Sequence, residues 1–239
     1  MSQTLTVATY NVHEWIGRDR IEDPLRTLKI IEELNADIIA LQEVSLSTVH
    51  GDRICLNDLT RITGMQAIPG PTLFKAQADY GNVLLSRYPP TSLKSLDISV
   101  KGREPRGAII SEFDLGYIRI KIIATHLGLW NYERRIQLRC LAKEMARNDS
   151  NLLILMGDLN EWNPVYSFFK SRFSWFGKIS KAPTYPSRFP IFSLDQIMVR
   201  PYTAIKCIKV HKSALARDAS DHLPLSAELD ITFLIPNSL

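Results

Sequence analysis

Polar side chains of a few types recur where the apolar runs of this sequence end. Asn11 and His13 follow the first such run, Gln42 and Glu43 close the second, and His126 ends Ile118 to Thr125. Asp158 and Asn160 stand just beyond Leu152 to Met156, Asp195 interrupts a later apolar stretch, and Asp221 with His222 precedes the last one. Each alone has an ordinary explanation as a turn residue, a helix cap or a core histidine bonded to a carbonyl. Together the four carboxylates and three imidazoles, with carboxamides beside them, are costly to gather, and strand ends on one side of a sheet converge. An oxygen-rich set of this kind suits a hard cation such as Mg²⁺ or Mn²⁺. Zinc is disfavoured, because the histidines lack short metal-site spacing and no cysteine stands near them. The sequence has no Gly-x-Ser-x-Gly elbow, and with neither a P-loop nor a Gly-x-Gly-x-x-Gly run no nucleotide cofactor is expected.

The elements that must position these residues read as follows. Leu5 to Asn11 alternates as a half-buried strand, Asp23-Pro24 opens a helix through Leu34, and Asp37 to Val44 returns as a strand. Strand signals at Asn82 to Ser86, Ser92 to Val100, Ala108 to Asp114 and Ile118 to Thr125 suggest an antiparallel meander. Tyr132 to Asn148 is the clearest helix, with Leu138, Leu141, Ala142 and Met145 on one face. Asn151 to Met156 is an apolar run too short for a helix and reads as a strand buried on both faces. Further strands are predicted at Leu194 to Val199, Ala204 to Val210 and Leu223 to Leu229, after a loop-rich stretch from Asn163 to Phe192. Many strands without strict strand-helix alternation predict a layered α/β fold and argue against a Rossmann fold or a (β/α)8 barrel.

At 239 residues, 45% hydrophobic and 23% charged, the chain is expected to fold as one domain over residues 1–239 with an ordinary core. The N-terminal residues lack a secretory signal pattern and no apolar run is long enough to span a bilayer, so a cytoplasmic location is expected; the chain is also expected to be a monomer. Cys55, Cys140 and Cys207 are read as reduced, mostly buried thiols without chemistry. The pI is about 8.9. From Trp162 to Arg217 there are 10 Lys or Arg against the single acid Asp195, which suggests an anionic partner.

Thr9-Tyr10-Asn11, Leu41-Gln42-Glu43-Val44, Thr125-His126-Leu127, Gly157-Asp158-Leu159-Asn160 and Ser220-Asp221-His222 occur in that order. This set resembles the endonuclease/exonuclease/phosphatase superfamily, the deoxyribonuclease I-like proteins, over nearly the whole chain. Gly102 to Ala108 and Thr184-Tyr185-Pro186 to Asp195-Gln196-Ile197 resemble a small bacterial branch, one group of which is encoded near cardiolipin synthases. The resemblance implies an α/β four-layer sandwich of two mixed β-sheets flanked by helices. It also implies in-line attack of an activated water on a phosphoester, assisted by a divalent ion.

Carried over by position, the resemblance makes Glu43 the principal metal ligand, with Asn11 contacting metal or phosphate and Asp221 completing the metal site or its surroundings. Asp158 would orient and deprotonate the water, and Asn160 would donate to the phosphoryl oxygen. Asp195 and His222 would form a carboxylate–imidazole pair, and His126 would donate to the phosphate or the leaving oxygen. Arg106 is added from its own chemistry as a phosphate clamp, since a guanidinium offers two parallel donors. His13 stands where several nucleases place a metal-side Asp. The expected activity is that of a Mg²⁺-dependent DNA endonuclease. The alternative is a phosphodiesterase acting on lipid headgroups or a small phosphoester at an anionic membrane, for which the aromatic and basic run Phe168 to Lys178 is the motive.

Overall fold

Alternation along the strands decides which side chains meet, and it points the polar strand ends into one layer. The structure, a computed structural model, describes residues 3–48, 54–74, 78–147, 149–162 and 182–234. Strands β1 (Thr4–Asn11), β2 (Ile38–Ser47), β3 (Gln66–Phe74), β4 (Ala78–Ser86), β10 (Ile205–Val210) and β11 (Leu225–Asp230) form one sheet in the order β10-β11-β1-β2-β4-β3. Strands β5 (Ser92–Asp97), β6 (Gly107–Asp114), β7 (Arg119–His126), β8 (Leu152–Asp158) and β9 (Asp195–Arg200) form the other in sequence order. Each sheet has a parallel pair near its centre, β1 with β2 and β7 with β8, among antiparallel neighbours. Both sheets are therefore mixed.

Helices α1 (Pro24–Leu34), α2 (Leu56–Thr63) and α4 (Ala214–Ala219) cover the first sheet, and α3 (Asn131–Ala146) covers the second. Asp23 caps α1, accepting from the Arg26 N–H at 3.1 Å, with Pro24 at the first helical position, where its missing N–H costs nothing. Three apolar layers result. Val7, Ala40, Leu84, Ile122, Ile154, Ile197 and Ala227 fill the space between the sheets. Tyr10, Leu28, Ile39 and Leu85 pack under α1, and Ile123, Leu141, Met145 and Leu155 pack under α3.

Because side chains alternate with period two, the residues of like parity beyond these core positions also face between the sheets. Asn11 follows Val7, His126 follows Ile122, Asp158 follows Ile154, and Asp195 precedes Ile197 on this inner face. Glu43 would point outward by the same count. A β-bulge between Leu41 and Val44 adds one residue, so Leu41 and Val44 both face the outer core while Gln42 and Glu43 both turn inward. Glu43 sits there at φ 55°, a left-handed conformation unusual for a non-glycine residue.

Gly157 is the other place where backbone geometry is decisive. Its φ is +146°, and a Cβ would lie 1.7 Å from the Thr125 carbonyl oxygen on the neighbouring parallel strand. Gly157→Ala must separate β7 from β8 just where His126 and Asp158 emerge, and it is expected to cost more than about 3 kcal/mol. Chemical denaturation would check this; a loss below about 1 kcal/mol would show that the strands can part cheaply.

Several expectations change. Asn82 to Ser86 belongs to a longer strand, β4, that pairs with β2 and β3 in the other sheet, so the meander is only β5-β6-β7. The strand β3 carries Pro69 and Pro71 at a sheet edge, where a missing N–H is tolerated, and its prolines concealed it from a sequence reading. Helices α2 and α4, of eight and six residues, are too short for a clear period. The three cysteines are free but only half-buried, not mostly buried. The Phe168 to Lys178 run lies outside the described residues.

Candidate active site

The C-terminal ends of β1, β2, β7 and β8 deliver a continuous polar network at one edge of the inter-sheet layer. Asn11 is its centre. Its Nδ2 donates to Glu43 Oε1 at 2.8 Å and to Asp158 Oδ2 at 3.2 Å, while its Oδ1 accepts from the His13 N–H at 3.0 Å. One buried amide thus holds two carboxylates from different sheets close together.

Asp158 is 2% exposed and also accepts from the Asn160 N–H at 2.9 Å. Burial raises its pKa; the charge of His222 lowers it, Asp195 raises it, and hydrogen bonds from Asn160 and Asn11 lower it, leaving it at about 6. Asn160 stands at φ 50° and directs its side chain back over the site. Its Nδ2 donates to the Leu127 carbonyl at 2.8 Å and lies 3.1 Å from His126 Nε2. The Leu127 carbonyl fixes which end of the amide faces the ring, so donors, Asn160 Nδ2 and Arg106 Nη1, face both ring nitrogens, which suits a neutral imidazole.

Burial, then the charges of Arg106 and His222, hold His126 well below its ordinary pKa. In the metal-free protein its ring is expected to stay neutral where an ordinary imidazole would take up a proton. Nitrogen chemical shifts of the labelled ring would check this, and titration near the ordinary value would refute it.

Asp195 and His222 form the pair expected of them. His222 Nδ1 lies 2.8 Å from Asp195 Oδ2, which also accepts from Thr184 Oγ1 at 2.6 Å. His222 Nε2 lies 3.7 Å from Asp158 Oδ2. Burial opposes the imidazolium, but the charges of Asp195 and Asp158, the bond to Asp195 and the charge of Asp221 outweigh it, raising the pKa to about 10. The ring is therefore a cation at neutral pH, with Nε2–H turned toward Asp158.

Arg106 is 6% exposed, its Nη2 pairs with Glu104 at 2.8 Å and its Nη1 lies 3.4 Å from His126 Nδ1. It lines a cleft with Glu43, Tyr80, Asn82 and His126, and its buried Nε has no hydrogen-bond partner among the described residues. Asp221 is half-exposed at the rim, with His13 Nδ1 4.0 Å away. His13 bonds the Ile16 carbonyl at 3.1 Å instead of filling the position of a second acid. Gln42 takes a supporting part, its Oε1 accepting from Thr9 Oγ1 at 3.1 Å.

Two groups of residues had no role assigned from the sequence, although Thr184 and Tyr185 belong to a motif noted there. Thr184 fixes Asp195, and the Tyr185 ring lies 4.9 Å from the His222 ring. On α3, Glu133, Arg134 and Gln137 are buried: Gln137 accepts from the Gly128 N–H at 2.8 Å, and Arg134 donates to the Leu129 carbonyl at 2.6 Å while lying 3.7 Å from Glu161. They brace the two loops that carry Leu127 and Asn160. The available signal was polar residues spaced i, i+4 on the side of α3 where core residues were expected.

A cation is the missing partner suggested by the donor set. Asp158, Asp195 and His222 bring ligand atoms within 4.8 Å of one another. A protonated imidazole has no lone pair to give, however, so this trio reads as an acid–base cluster. Glu43 and Asp158, two carboxylates joined by the Asn11 amide, offer the oxygen donors that fit a hard divalent ion.

Residues 8–222 match the Endonuclease/Exonuclease/phosphatase family. The chain belongs to that family. As a phosphoesterase of this family it is 28% identical over 245 residues to the uncharacterized Escherichia coli K12 protein YbhP, covering 94% of this chain and 96% of YbhP. The structure of a family member from Beutenbergia cavernae superposes with a TM-score of 0.76 at 22% identity, covering 95% of this chain and 72% of that one. A mannosyl-6-phosphatase from Bacteroides thetaiotaomicron superposes at 0.70 with 18% identity, covering 94% and 99%. At such identities the structural likeness establishes the fold, which is the expected four-layer sandwich.

Proposed function

We infer that this family member is a divalent-metal-dependent phosphodiesterase that uses water as the nucleophile. The observation that carries the reading is the Asn11 amide joining the Glu43 and Asp158 carboxylates beside a cationic His222. Glu43 would hold the ion, helped by Asn11 or Asp221, and a bound Mg²⁺ or Mn²⁺ supplies charge to offset the phosphoryl oxygens. Asp158 is ionised above about pH 6 and takes the proton of the attacking water. Asn160 turns an N–H toward the phosphoryl oxygen as charge builds, and His222 Nε2–H donates to the same group. Arg106 clamps a non-bridging oxygen with its fork of donors, neutral His126 donates a hydrogen bond to the phosphate or the leaving oxygen while keeping its proton, and the cationic His222 holds the proton that the departing oxygen takes up.

DNA is the first substrate class to test, because 29 Lys and Arg against 25 acids favour a polyanion. Nicking of supercoiled plasmid with Mg²⁺ at low salt is the assay, and EDTA is expected to abolish it. Absence of nicking by folded protein, with hydrolysis of bis(p-nitrophenyl) phosphate retained, would exclude DNA and keep the phosphodiesterase. Absence of both would sink the reading. A lipid phosphodiester is the second substrate class, favoured by exposed apolar side chains at the mouth of the site.

A further inference from the structure

Loop 127–130 leaves β7 just after His126 and enters α3. Leu129 is 58% exposed and Trp130 56%, with Tyr132 and Ile136 also exposed one to two turns along the helix. Arg103, from the loop before Arg106, lies over both rings, 5.0 Å from the Trp130 centroid and 5.3 Å from that of Tyr132, and its Nε donates to the Tyr132 hydroxyl. Across the site, Tyr185 packs on His222 and Trp162 packs edge-on against Tyr185 and Phe192. On the same loop, Phe189 and Ile191 are each 69% exposed, and Arg188 lies 5.3 Å from the Phe189 centroid.

The loop that follows His126 and the loop that carries Tyr185 onto His222 thus each present exposed apolar side chains with an arginine laid against a ring. The outward stripe of α3 runs on as Tyr132, Ile136, Arg139 and Lys143, with Arg135 beside it. Among the described residues the ion pairs of α3 are Arg134–Glu161, Glu144–Lys94 and Glu144–Arg147, so Arg135, Arg139 and Lys143 remain uncompensated.

We propose that this surface docks the protein on an anionic phospholipid bilayer, with Leu129, Trp130, Phe189 and Ile191 entering the interface and the arginines meeting lipid phosphates. The aliphatic members decide between polyanions: rings stack on bases and cations pair with any phosphate, but an exposed Leu129 or Ile191 gains only from an apolar boundary. Trp and Tyr suit the headgroup depth, and Arg keeps its charge in water while its stem covers apolar surface. Docked this way, the mouth faces the headgroup layer, and the phosphodiesterase inferred above acts on a lipid diester there. What the docked site does rests on that reading.

The test uses co-sedimentation with vesicles of phosphatidylcholine, with and without about a third phosphatidylglycerol, alongside hydrolysis of soluble bis(p-nitrophenyl) phosphate. Wild type is expected to bind the anionic vesicles and leave the neutral ones largely unbound. Trp130→Ala on one lip and Phe189→Ala on the other are each expected to weaken anionic partitioning about tenfold. Both positions are exposed, so the thermal midpoint and the soluble activity should not change. Folded wild type that ignores both vesicles, or variants that bind like wild type, would overturn the proposal. So would a short DNA duplex bound through the same two residues in a protein that ignores vesicles. Vesicle binding weakened by the substitutions, in a protein unable to hydrolyse the soluble diester, would sustain the docking surface and sink the phosphodiesterase reading.

Discussion

Asp158→Asn is expected to lower the hydrolytic rate by roughly 10²–10⁴-fold while leaving the protein at least as stable as wild type. The two halves have one cause. A carboxylate 2% exposed at the end of an apolar strand is ionised against the preference of its surroundings, as the rise of its pKa to about 6 records. Ionising Asp158 at neutral pH therefore costs folding energy, which is regained as the pH falls through about 6 toward the ordinary value of 3.8. Asparagine removes that cost and still accepts from the Asn160 N–H, but it cannot take a proton from water. Turnover of a soluble diester and the thermal midpoint, measured on one preparation, check both halves. Retained activity would remove Asp158 from the role of base; a large drop in midpoint would mean that its charge supports the fold.

Asp195→Asn should be nearly as damaging to activity, by roughly 10²–10⁴-fold, for a different reason. Asp195 touches no substrate in the proposed arrangement. It is a positioning residue that holds the His222 proton and ring through the 2.8 Å contact, itself held by Thr184. An amide in its place removes the nearest of the negative charges that hold the imidazolium, and the His222 pKa is expected to fall from about 10. Activity should then be lost at a lower pH on the alkaline side than in wild type, with kcat affected more than KM. An unchanged alkaline limb with only a lowered midpoint would reduce Asp195 to a structural residue. Asp195 is fully buried, so some loss of stability accompanies the change, and the pH profile separates the two effects.

Much of this site was legible in the chain because each member ends an apolar run. Alternation of period two in β1, β7, β8 and β9 already implies that Asn11, His126, Asp158 and Asp195 share the face of the inner core residues. Side-chain direction in a strand is a local property. Glu43 is the exception: its alternation points it outward, and only the bulge against β4, a property of pairing between strands, turns it in. Arg106 was ambiguous for a similar reason, since nothing within Glu104-Pro105-Arg106-Gly107 says whether that loop lies over a cleft or in solvent.

The chain alone carries most of the strands, the two longer helices, the family and the residues that end on the inner face, because periodicity and motif order are written along it, whereas the proline-bearing β3 and the short α2 and α4 have no such period. Tertiary structure alone decided that β4 leaves the meander for the other sheet, that Gln137 and Arg134 brace the loops after β7 and β8, and that Leu129, Trp130, Phe189 and Ile191 stay exposed. These depend on which distant segments meet and which apolar side chains are left uncovered when they do. Burial is a property of the packed whole, and no local pattern encodes it.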